Sequence, residues 1–399
     1  MAIMSEPVDP MLFHASDREK TFVPVNTRTT RKTGSADPML FRPFPLRGIE
    51  VRNRLWVAPM CQYQSVAADG PGEGVPSDWH VQHLGGLGRG GAGLVMVEAT
   101  AVVPEGRITP RCLGLYNDEQ EQAFAQRIVP QVHMHGAKIG MQLAHAGRKA
   151  STYPLLPGLP IGFVPLDEGG WQTVAPSAVS FPGLPEPHAV TIDEIDEIVE
   201  AFVDGARRAV RAGFDVVEVH AAHGYLLHEF LSPLSNYRED EYGGSLENRA
   251  RFVRRVVQGI RAAAPELPLL VRISGDEWVA GGFDIEESTQ LARWLADDGA
   301  DLIDCSTGGN VADAPIRVGP SYQVHVAKGV REAGLPVGAV GLITEAAEAE
   351  AILVTGLADV ISVGRPLLAN PHLPLAWAER LRAKSISDFV PGPYCLARF

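Results

Sequence analysis

The stretch from His220 to Tyr225 brings two histidines and a tyrosine together in the sequence. Imidazoles three residues apart often form a pair of metal ligands. They can equally serve as a pair of hydrogen-bond donors. A metal site needs further ligands, and among the ends of the apolar runs only His145 offers another obvious histidine. We therefore favour His220 and His223 as hydrogen-bond donors with Tyr225 beside them. A metal-dependent aldolase or hydrolase is the alternative.

A second chemical signal is glycine at the ends of three apolar runs, at Gly308, Gly341 and Gly364. Glycine lets backbone N–H groups approach an anion closely, and the following helix adds the positive end of its dipole. Arg365 adds a fork of donors that suits a phosphate. The pattern predicts a phosphate site. The glycine-rich stretch 86–91 follows a helical pattern and precedes a strand, the reverse of a dinucleotide-binding motif, so we interpret it as a connection.

These signals require a scaffold that joins distant parts of the chain. After residue 50, short apolar runs alternate with longer amphipathic stretches. The runs do not alternate in polarity, which is typical of parallel strands buried on both faces. There are eight such runs: Leu55–Met60, Leu94–Ala99, Ile139–Leu143, Val216–His220, Leu269–Ile273, Leu302–Cys305, Val337–Val340 and Val360–Val363.

Helical patterns fill the spaces between the runs, and glycines that follow three of them predict left-handed C-caps. Eight strands alternating with helices predict an α/β fold, a single-domain (β/α)8 TIM barrel. Catalytic residues of such barrels lie at the carboxyl ends of the strands, and the loops after strands seven and eight often bind phosphate. The helical patterns are Ile192–Ala212, Leu246–Ala263, Ile285–Asp298, Tyr322–Ala333 and Thr344–Thr355.

The predicted domain organisation has three parts: a flexible N-terminal extension at 1–37, the barrel at 38–385 and a C-terminal tail at 386–399. The extension offers little to bury. Residues 153–190 follow the third strand, are rich in proline and lack a helical pattern, so we expect them to cap the active site. The sequence Asp-Pro-Met-Leu-Phe occurs twice, from Asp9 and from Asp37, by chance, by duplication or because the first copy docks on another subunit.

Composition excludes several function classes. The 399-residue chain has a formal net charge of −13, which disfavours nucleic acid because phosphate binding needs clustered Lys and Arg. No apolar run reaches the roughly 18–20 residues that span a bilayer, so we expect no membrane partner. The four cysteines are widely spaced, which disfavours a zinc site or an iron–sulfur cluster. A cytoplasmic, reducing location fits this cysteine usage.

Four stretches of the chain together resemble the Old Yellow Enzyme family. The pair Cys61/Tyr63 and the two histidines are similar to its thermophilic-like branch of bacterial ene-reductases. The resemblance extends from about Leu40 to about Pro371. The four stretches are Ala58–Tyr63, the strand around Gln142, His220–Pro233 and Asn236–Ser245.

The resemblance implies a tightly bound FMN at the barrel mouth, with NADPH or NADH as its reductant. Gln142 would hydrogen-bond the pyrimidine ring of the flavin. Arg272 would face the N1/O2 locus, where a fixed cation favours the reduced form. Gly341, Gly364 and Arg365 would hold the phosphate. The residues implied to line the flavin are Ala58, Pro59, Met60, Cys61 and, through its backbone, Ala99.

The implied reaction is that of an FMN-dependent ene-reductase. NAD(P)H reduces FMN and leaves, and an α,β-unsaturated carbonyl or nitro compound then accepts a hydride at its β-carbon. His220 and His223 would donate hydrogen bonds to the substrate oxygen. Tyr225, protonated at neutral pH because its ordinary pKa is about 10, would give a proton to the α-carbon. Tyr63 would contact the substrate from the other side.

The C-terminus departs from the family pattern. Members of this branch often end in a Tyr-x-Arg-x-aromatic motif whose arginine reaches the active site of a neighbouring subunit. In this chain the spacing between Tyr394 and Arg398 is longer. Arg398 is the corresponding candidate for substrate binding, and we expect a homodimer or homotetramer.

Overall fold

The computed structural model describes residues 37–66 and 72–399. The predicted extension, apart from Asp37, and the first Asp-Pro-Met-Leu-Phe copy lie outside these residues. The described part of the chain contains a closed barrel of eight parallel strands. The strands are β1 (Leu55–Val57), β2 (Leu94–Ala101), β3 (Lys138–Ala144), β4 (Val216–Ala221), β5 (Leu269–Ser274), β6 (Leu302–Ser306), β7 (Val337–Ala339) and β8 (Val360–Val363).

Each strand pairs with its neighbours in chain order, and β8 pairs with β1 to close the barrel. This confirms the predicted (β/α)8 barrel. Two strands are shorter than their apolar runs. β1 ends at Val57 rather than Met60 because Pro59 has no N–H to donate to a neighbouring strand. β7 ends at Ala339, one residue before the end of its run.

Helices separate the strands, and three of them have the predicted bounds. Each of these three begins at a side-chain N-cap (Thr191, Ser245 or Asp284) whose oxygen accepts from a backbone N–H. The helices are α1 (Asp78–Arg89), α2 (Asp118–Ala123, continued by the π-helical Phe124–Ile128 and the α-helical Val129–His133), α3 (Ile192–Ala212), α4 (Leu246–Ala263), α5 (Ile285–Asp298), α6 (Val324–Val330), α7 (Ala346–Val354) and α8 (Leu373–Arg380), with short helices at Leu226–Leu231, Arg365–Ala369 and Ile386–Phe389.

The glycine-rich stretch 86–91 is helical over more of its length than predicted. Gly86 and Gly88 belong to α1, and only Gly90 and Gly91 form the connection to β2. Gly88 packs against the neighbouring helix, where an added Cβ would stand 3.4 Å from Val132, an ordinary van der Waals contact.

The described part of the barrel contains an apolar cluster at the amino-terminal end of its strands. This cluster includes the side chains of Trp56, Met96 and Leu270. An antiparallel hairpin, Phe44–Leu46 with Ile49–Val51, packs beneath them. A larger apolar cluster includes residues of the strands and of the surrounding helices. None of the described helices combines the length and apolar character required to cross a membrane.

Candidate active site

Strand register brings four buried polar side chains together inside the barrel. Gln142 on β3 pairs with Glu218 on β4, and Arg272 on β5 pairs with Asp304 on β6. The Gln142 amide donates from Nε2 to Glu218 Oε1 over 2.7 Å. Arg272 Nε lies 3.4 Å from Asp304 Oδ2. These residues form a polar layer beneath the barrel mouth.

This layer holds two carboxyl groups and one guanidinium. Burial, reinforced by the nearby Asp304, raises the pKa of Glu218 to about 8, so this carboxyl is mostly protonated at neutral pH. Burial also raises the pKa of Asp304. Within the described residues, Arg272 Nε and Asp304 Oδ1 have no hydrogen-bond partner. Buried polar atoms of this kind usually acquire a partner when a ligand or water is present.

The end of β4 places His220, His223 and Tyr225 in contact. The His220 ring centroid is 5.1 Å from those of both His223 and Tyr225, each edge-on. The backbone N–H of Ala222 donates to His220 Nδ1 over 3.3 Å, so the ring proton of His220 is on Nε2. His220 also pairs with Arg272 in the strand register, and the positive charge of Arg272 acts on both imidazoles.

His223 is held by two serines from neighbouring strands. Its backbone is left-handed, with φ of 60°, a conformation that costs free energy in a residue other than glycine. Its N–H donates to Ser274 Oγ over 2.9 Å, and its Nε2 lies 2.8 Å from Ser306 Oγ. These contacts hold the strained backbone and fix the ring at the mouth.

The protonation states of this group suit binding of an oxygen atom. Burial, helped by the positive charge of Arg272, lowers the pKa of both His220 and His223 well below the ordinary value. Burial raises the pKa of Tyr225 well above its ordinary value. At neutral pH the site therefore holds two uncharged imidazoles and a protonated phenol. No group of three or more His, Cys, Asp or Glu that could hold a metal ion occurs within the described ranges.

Lys149 joins the site, although the sequence prediction did not include it. Its Nζ donates to the carbonyls of His223 and Gly309, over 2.8 and 2.9 Å. It also lies 5.1 Å from the centroid of the Tyr225 ring. Burial lowers its pKa to about 8. Lys149 lies just after β3, and this position at a strand end was the signal that could have identified it. Because lysine is usually exposed, its charge instead predicts a position in solvent.

The predicted capping segment contacts this lysine. Phe181 lies with its ring centroid 4.9 Å from Lys149 Nζ. The carbonyl of Val179 accepts a hydrogen bond from Arg148, 3.2 Å away. The segment contains a short 3-10 helix at Leu166–Glu168 and a pair of two-residue strands, Val174–Ala175 and His188–Ala189. Its role as a cap stays a prediction.

The loop after β1 lies against the ends of β2 and β8. Ala58 N–H donates to the carbonyl of Val363 over 3.0 Å. Pro59 lines the small interior cavity together with Glu218 and Asp304. A Cβ on Gly364 would stand 3.4 Å from Met60 Sδ. Of the predicted group, Ala58 and Met60 therefore lie against the end of β8, and Pro59 faces the barrel interior.

The remainder of this loop is tied to β2. The carboxylate of Glu98 accepts from Gln62 N–H and lies 2.9 Å from His80 Nε2. Tyr63 follows in a left-handed conformation, with φ of 55°, and is half-buried.

The predicted phosphate residues are only partly brought together. Gly341, Gly364 and Arg365 line one cavity of about 400 Å³. Gly308 is not part of its lining: the Gly308 N–H donates to the backbone carbonyl of Asp276 over 2.9 Å, and the Gly308 carbonyl accepts from Ser274 Oγ over 2.8 Å. Gly308 thus positions the serine that supports His223, because its loop turns back towards β5.

Comparison with known proteins identifies the family of this chain. The sequence profile described as the NADH:flavin oxidoreductase / NADH oxidase family matches residues 39–384. The chain belongs to this family. It is 44% identical over 355 residues to an NADPH dehydrogenase of Halalkalibacterium halodurans. The aligned region covers 89% of this chain and 96% of the relative.

Solved structures of similar fold support the same assignment. An Old Yellow Enzyme homologue from Zymomonas mobilis has a TM-score of 0.71 and 29% identity, covering 86% of this chain and 93% of that one. Morphinone reductase has a TM-score of 0.70 and 30% identity, covering 88% and 91%. The resemblance to the Old Yellow Enzyme family is confirmed. The protein is an FMN-dependent oxidoreductase of ene-reductase type that uses NADPH or NADH, and a metal-dependent aldolase or hydrolase is not supported.

Within a single chain of this flavin oxidoreductase, Arg398 does not join the other site residues. It is exposed and lines a surface cavity with Glu379 and Lys384. The adjacent Phe399 N–H donates to the Glu379 carboxylate over 2.7 Å, and its ring stacks on His372. These contacts hold the tail against α8.

The buried carboxyl of Glu229 gives the flavin oxidoreductase a pH-dependent contribution to stability. Glu229 is fully buried; its Oε1 accepts from Arg148 N–H, and its Oε2 lacks a partner among the described residues. Burial raises its pKa to about 8 from 4.5. The folded state therefore keeps a proton that the unfolded state releases between these pH values. This contribution to stability is fully present below the unfolded pKa and is lost as pH rises through the folded pKa.

We expect the contribution of Glu229 to the free energy of unfolding to fall from about pH 5 to about pH 8, so the slope of stability against pH should become more positive in Glu229→Gln than in the wild type. His220 and His223, whose pKa values are lowered, contribute with the opposite sign in both proteins. Urea unfolding across this range measures the slope. The control is Glu197→Gln on the exposed face of α3, which should keep the wild-type slope. Glu218 acts in the same direction, so some slope should remain in Glu229→Gln. An unchanged slope in that variant would contradict the assignment.

Proposed function

We propose that the enzyme reduces the C=C bond of α,β-unsaturated carbonyl or nitro compounds at the carboxyl end of the barrel. In this proposal His220 and His223 bind the substrate oxygen, and Tyr225 gives a proton to the α-carbon. The supporting observation is that the ring centroid of the uncharged His220 lies 5.1 Å from those of the uncharged His223 and the protonated Tyr225, and that His220 pairs with the buried Arg272 in the strand register.

FMN fits the residues around the mouth. Arg272 has a buried Nε without a partner among the residues described, and Gln142 uses its NH2 group on Glu218, which leaves its amide oxygen to accept from a ligand N–H. We assign these two residues to the flavin ring. Gly341, Gly364 and Arg365 are assigned to the phosphate, and Ala58, Pro59, Met60, Cys61 and Ala99 to one side of the cofactor.

Reduced FMN supplies the hydride that the substrate accepts. Negative charge then develops on the substrate oxygen, and the His220 Nε2–H and the His223 ring stabilise it by hydrogen bonding. Because both imidazoles are uncharged, they act as donors without charge repulsion from Arg272. The Tyr225 phenol holds the proton for the α-carbon, Tyr63 contacts the substrate from the other side, and the segment around Phe181 limits the entry of water.

The test is flavin spectroscopy under anaerobic conditions. The purified enzyme should be yellow, lose its visible flavin absorbance when NADPH or NADH is added, and regain it with cyclohexenone or maleimide. The comparison of the two nucleotides settles which reductant is preferred. A flavin that is reduced but is not reoxidised by any enone or nitroalkene would overturn the substrate assignment while leaving the oxidoreductase intact.

The phosphate assignment predicts that Arg365→Ala weakens FMN binding. A lost hydrogen bond to a charged group costs about 1.5–3 kcal/mol, so the Kd should rise about tenfold to a hundredfold. Titration of the apoprotein with FMN, followed by flavin fluorescence, measures it. The control is Arg380→Ala, which removes another exposed arginine paired with Glu345 at 2.7 Å. Equal FMN affinities in Arg365→Ala and wild type would count against the assignment.

We further propose a homodimer or homotetramer in a cytoplasmic setting, with Arg398 reaching a neighbouring subunit. The exposure of Arg398 and its distance from the other site residues within one chain leave it available for such a contact. Light scattering gives the oligomeric state. An Arg398→Ala variant with unaltered substrate KM would remove Arg398 from the proposal.

A further inference from the structure

The imidazole of His223 is held through one of its two nitrogens. Its Nε2 lies 2.8 Å from Ser306 Oγ. Among the residues that the structure describes, none forms a hydrogen bond with the other ring nitrogen, Nδ1. Burial lowers the pKa of His223 well below its ordinary value, so the ring is uncharged at neutral pH and carries a proton on one nitrogen only. The position of that proton decides whether Nδ1 donates or accepts a hydrogen bond.

The hydroxyl group of Ser306 has two possible acceptors. Its Oγ lies 2.8 Å from His223 Nε2 and 3.3 Å from Gln323 Oε1. The second distance is longer than the roughly 2.5–3.0 Å that is usual between two oxygens in a hydrogen bond. Gln323 Oε1 already accepts from Thr307 Oγ1 over 2.7 Å, and Gln323 Nε2 donates to the carbonyl of Val340 over 3.2 Å. The Ser306 proton is therefore directed to His223 Nε2.

The opposite arrangement, with Nε2 donating to Ser306, is less favourable. The hydroxyl proton would then be left with the distant Gln323 oxygen as its acceptor within the described part of the chain. Ser306 is buried, and a buried donor without a good acceptor costs about 1–3 kcal/mol. The shorter contact thus indicates that the hydroxyl is the donor and the ring nitrogen the acceptor.

Packing of two loops fixes the distance between His223 and Ser306. Ser306 ends β6 beside Ser274 in the strand register, and Ser274 Oγ accepts from the His223 N–H over 2.9 Å. The loop after β6 lies directly on His223, because a Cβ on Gly309 would stand 2.6 Å from the His223 Cα. Lys149 Nζ joins the same two loops by donating to the carbonyls of His223 and Gly309. The contact between ring and hydroxyl is therefore part of a closely packed arrangement.

We propose that Ser306 is a positioning residue that sets the tautomer of His223. Its hydroxyl donates to Nε2, so the ring proton lies on Nδ1, the nitrogen that remains for a ligand. This inference rests on the proposed function, in which the His223 ring donates a hydrogen bond to the substrate oxygen. In the opposite tautomer Nδ1 would present a lone pair, which repels the negative charge that develops on that oxygen.

The two histidines of the site are then opposite tautomers with the same function. His220 carries its proton on Nε2, because the Ala222 N–H donates to its Nδ1 over 3.3 Å. His223 carries its proton on Nδ1, because Ser306 donates to its Nε2. A backbone amide sets the first tautomer and a side-chain hydroxyl sets the second, so a single substitution can remove the second donor.

Nitrogen-15 NMR of the enzyme labelled at its histidines tests the tautomer directly. The sample is saturated with FMN and contains no substrate, and the His223 signals are those missing from His223→Asn. We expect a protonated Nδ1 and an unprotonated Nε2 in the wild type. In Ser306→Ala a large part of the His223 population should shift to a protonated Nε2. Ser306→Thr keeps the hydroxyl and should retain the wild-type pattern.

Reoxidation of the reduced flavin by an enone supplies the second readout. In metal sites, loss of a group that orients a histidine lowers affinity or activity about tenfold to a hundredfold. We expect a decrease of this size in Ser306→Ala, most of it recovered in Ser306→Thr, and a smaller change in reduction by NADPH or NADH. The control is Ser288→Ala, which removes another buried hydroxyl, bonded to the carbonyls of Gly275 and Asp284 over 2.9 and 2.7 Å. It should keep both the tautomer and the rate.

The tautomer and the proposed function can fail separately. A wild-type enzyme with the His223 proton on Nε2, or a Ser306→Ala variant with an unaltered His223 pattern, would overturn the inference whatever the substrate. If the NMR results are as expected but no enone or nitroalkene reoxidises the flavin, Ser306 still sets the tautomer and only the substrate assignment is wrong.

Discussion

Replacement of His220 by alanine should slow reoxidation of the reduced flavin by an enone about a hundredfold to a thousandfold. The reason is the loss of one of two donors to the substrate oxygen, and removal of one such donor usually has an effect of about this size. Binding of a phenol ligand should weaken as well. Reduction by NADPH or NADH should change much less, because it needs no carbonyl oxygen. Stopped-flow absorbance of the two half-reactions separates these effects.

Two variants make the His220 result interpretable. His220→Gln keeps an N–H donor and should recover part of the lost rate. His133→Ala removes an exposed histidine at the end of α2, whose Nε2 lies 2.6 Å from the carboxylate of Asp215, and should leave both half-reactions unaltered. If enone reoxidation and phenol binding in His220→Ala equalled those of the wild type, the imidazole would have no role in binding the oxygen.

The second large effect is expected from Arg272→Met. Its guanidinium is the cation that balances Asp304 within the polar layer, beside Glu218. Removal of one partner from a buried pair costs about 3–5 kcal/mol of folding free energy. The pKa of each carboxyl should also rise further. Loss of the cation next to the flavin should make the flavin reduction potential more negative and slow its reduction by NADPH.

Arg272→Lys is the matched variant, since it keeps a positive charge with fewer donors. Its reduction potential should lie closer to that of the wild type than the potential of Arg272→Met. Urea unfolding of the apoprotein separates the loss of stability from the effect on the flavin. If Arg272→Met had the flavin reduction potential of the wild type but a lower stability, Arg272 would serve only as a structural ion-pair partner.

The sequence predicted the scaffold because its signals are local. Caps such as Thr191 and Asp284 and the C-cap glycines Gly213 and Gly299 lie within a turn of the helix ends that they set. The signal of a buried strand is also local, because such a strand is an uninterrupted apolar run in the sequence. The least accurate strand bound was that of β1, where Pro59 ended the strand within an apolar run.

The residues of the candidate site were predictable as chemical types at strand ends, and the histidine pair with Tyr225 lies where the barrel prediction expected it. Their partners were not predictable. Gly308 carries the same glycine signal as Gly341, yet its loop turns towards β5 and serves Ser274 instead of the phosphate cavity.

The amino-acid sequence by itself determined the eight-stranded barrel, the family and the kinds of side chain at its carboxyl end, since each depends on neighbours along the chain. Only the tertiary structure decided the pairing of Arg272 with Asp304 and the placement of Lys149 on the His223 carbonyl. These contacts depend on strand register and loop packing, which are set when the whole barrel closes. They join residues that are far apart in the sequence, so a short stretch of sequence does not predict them.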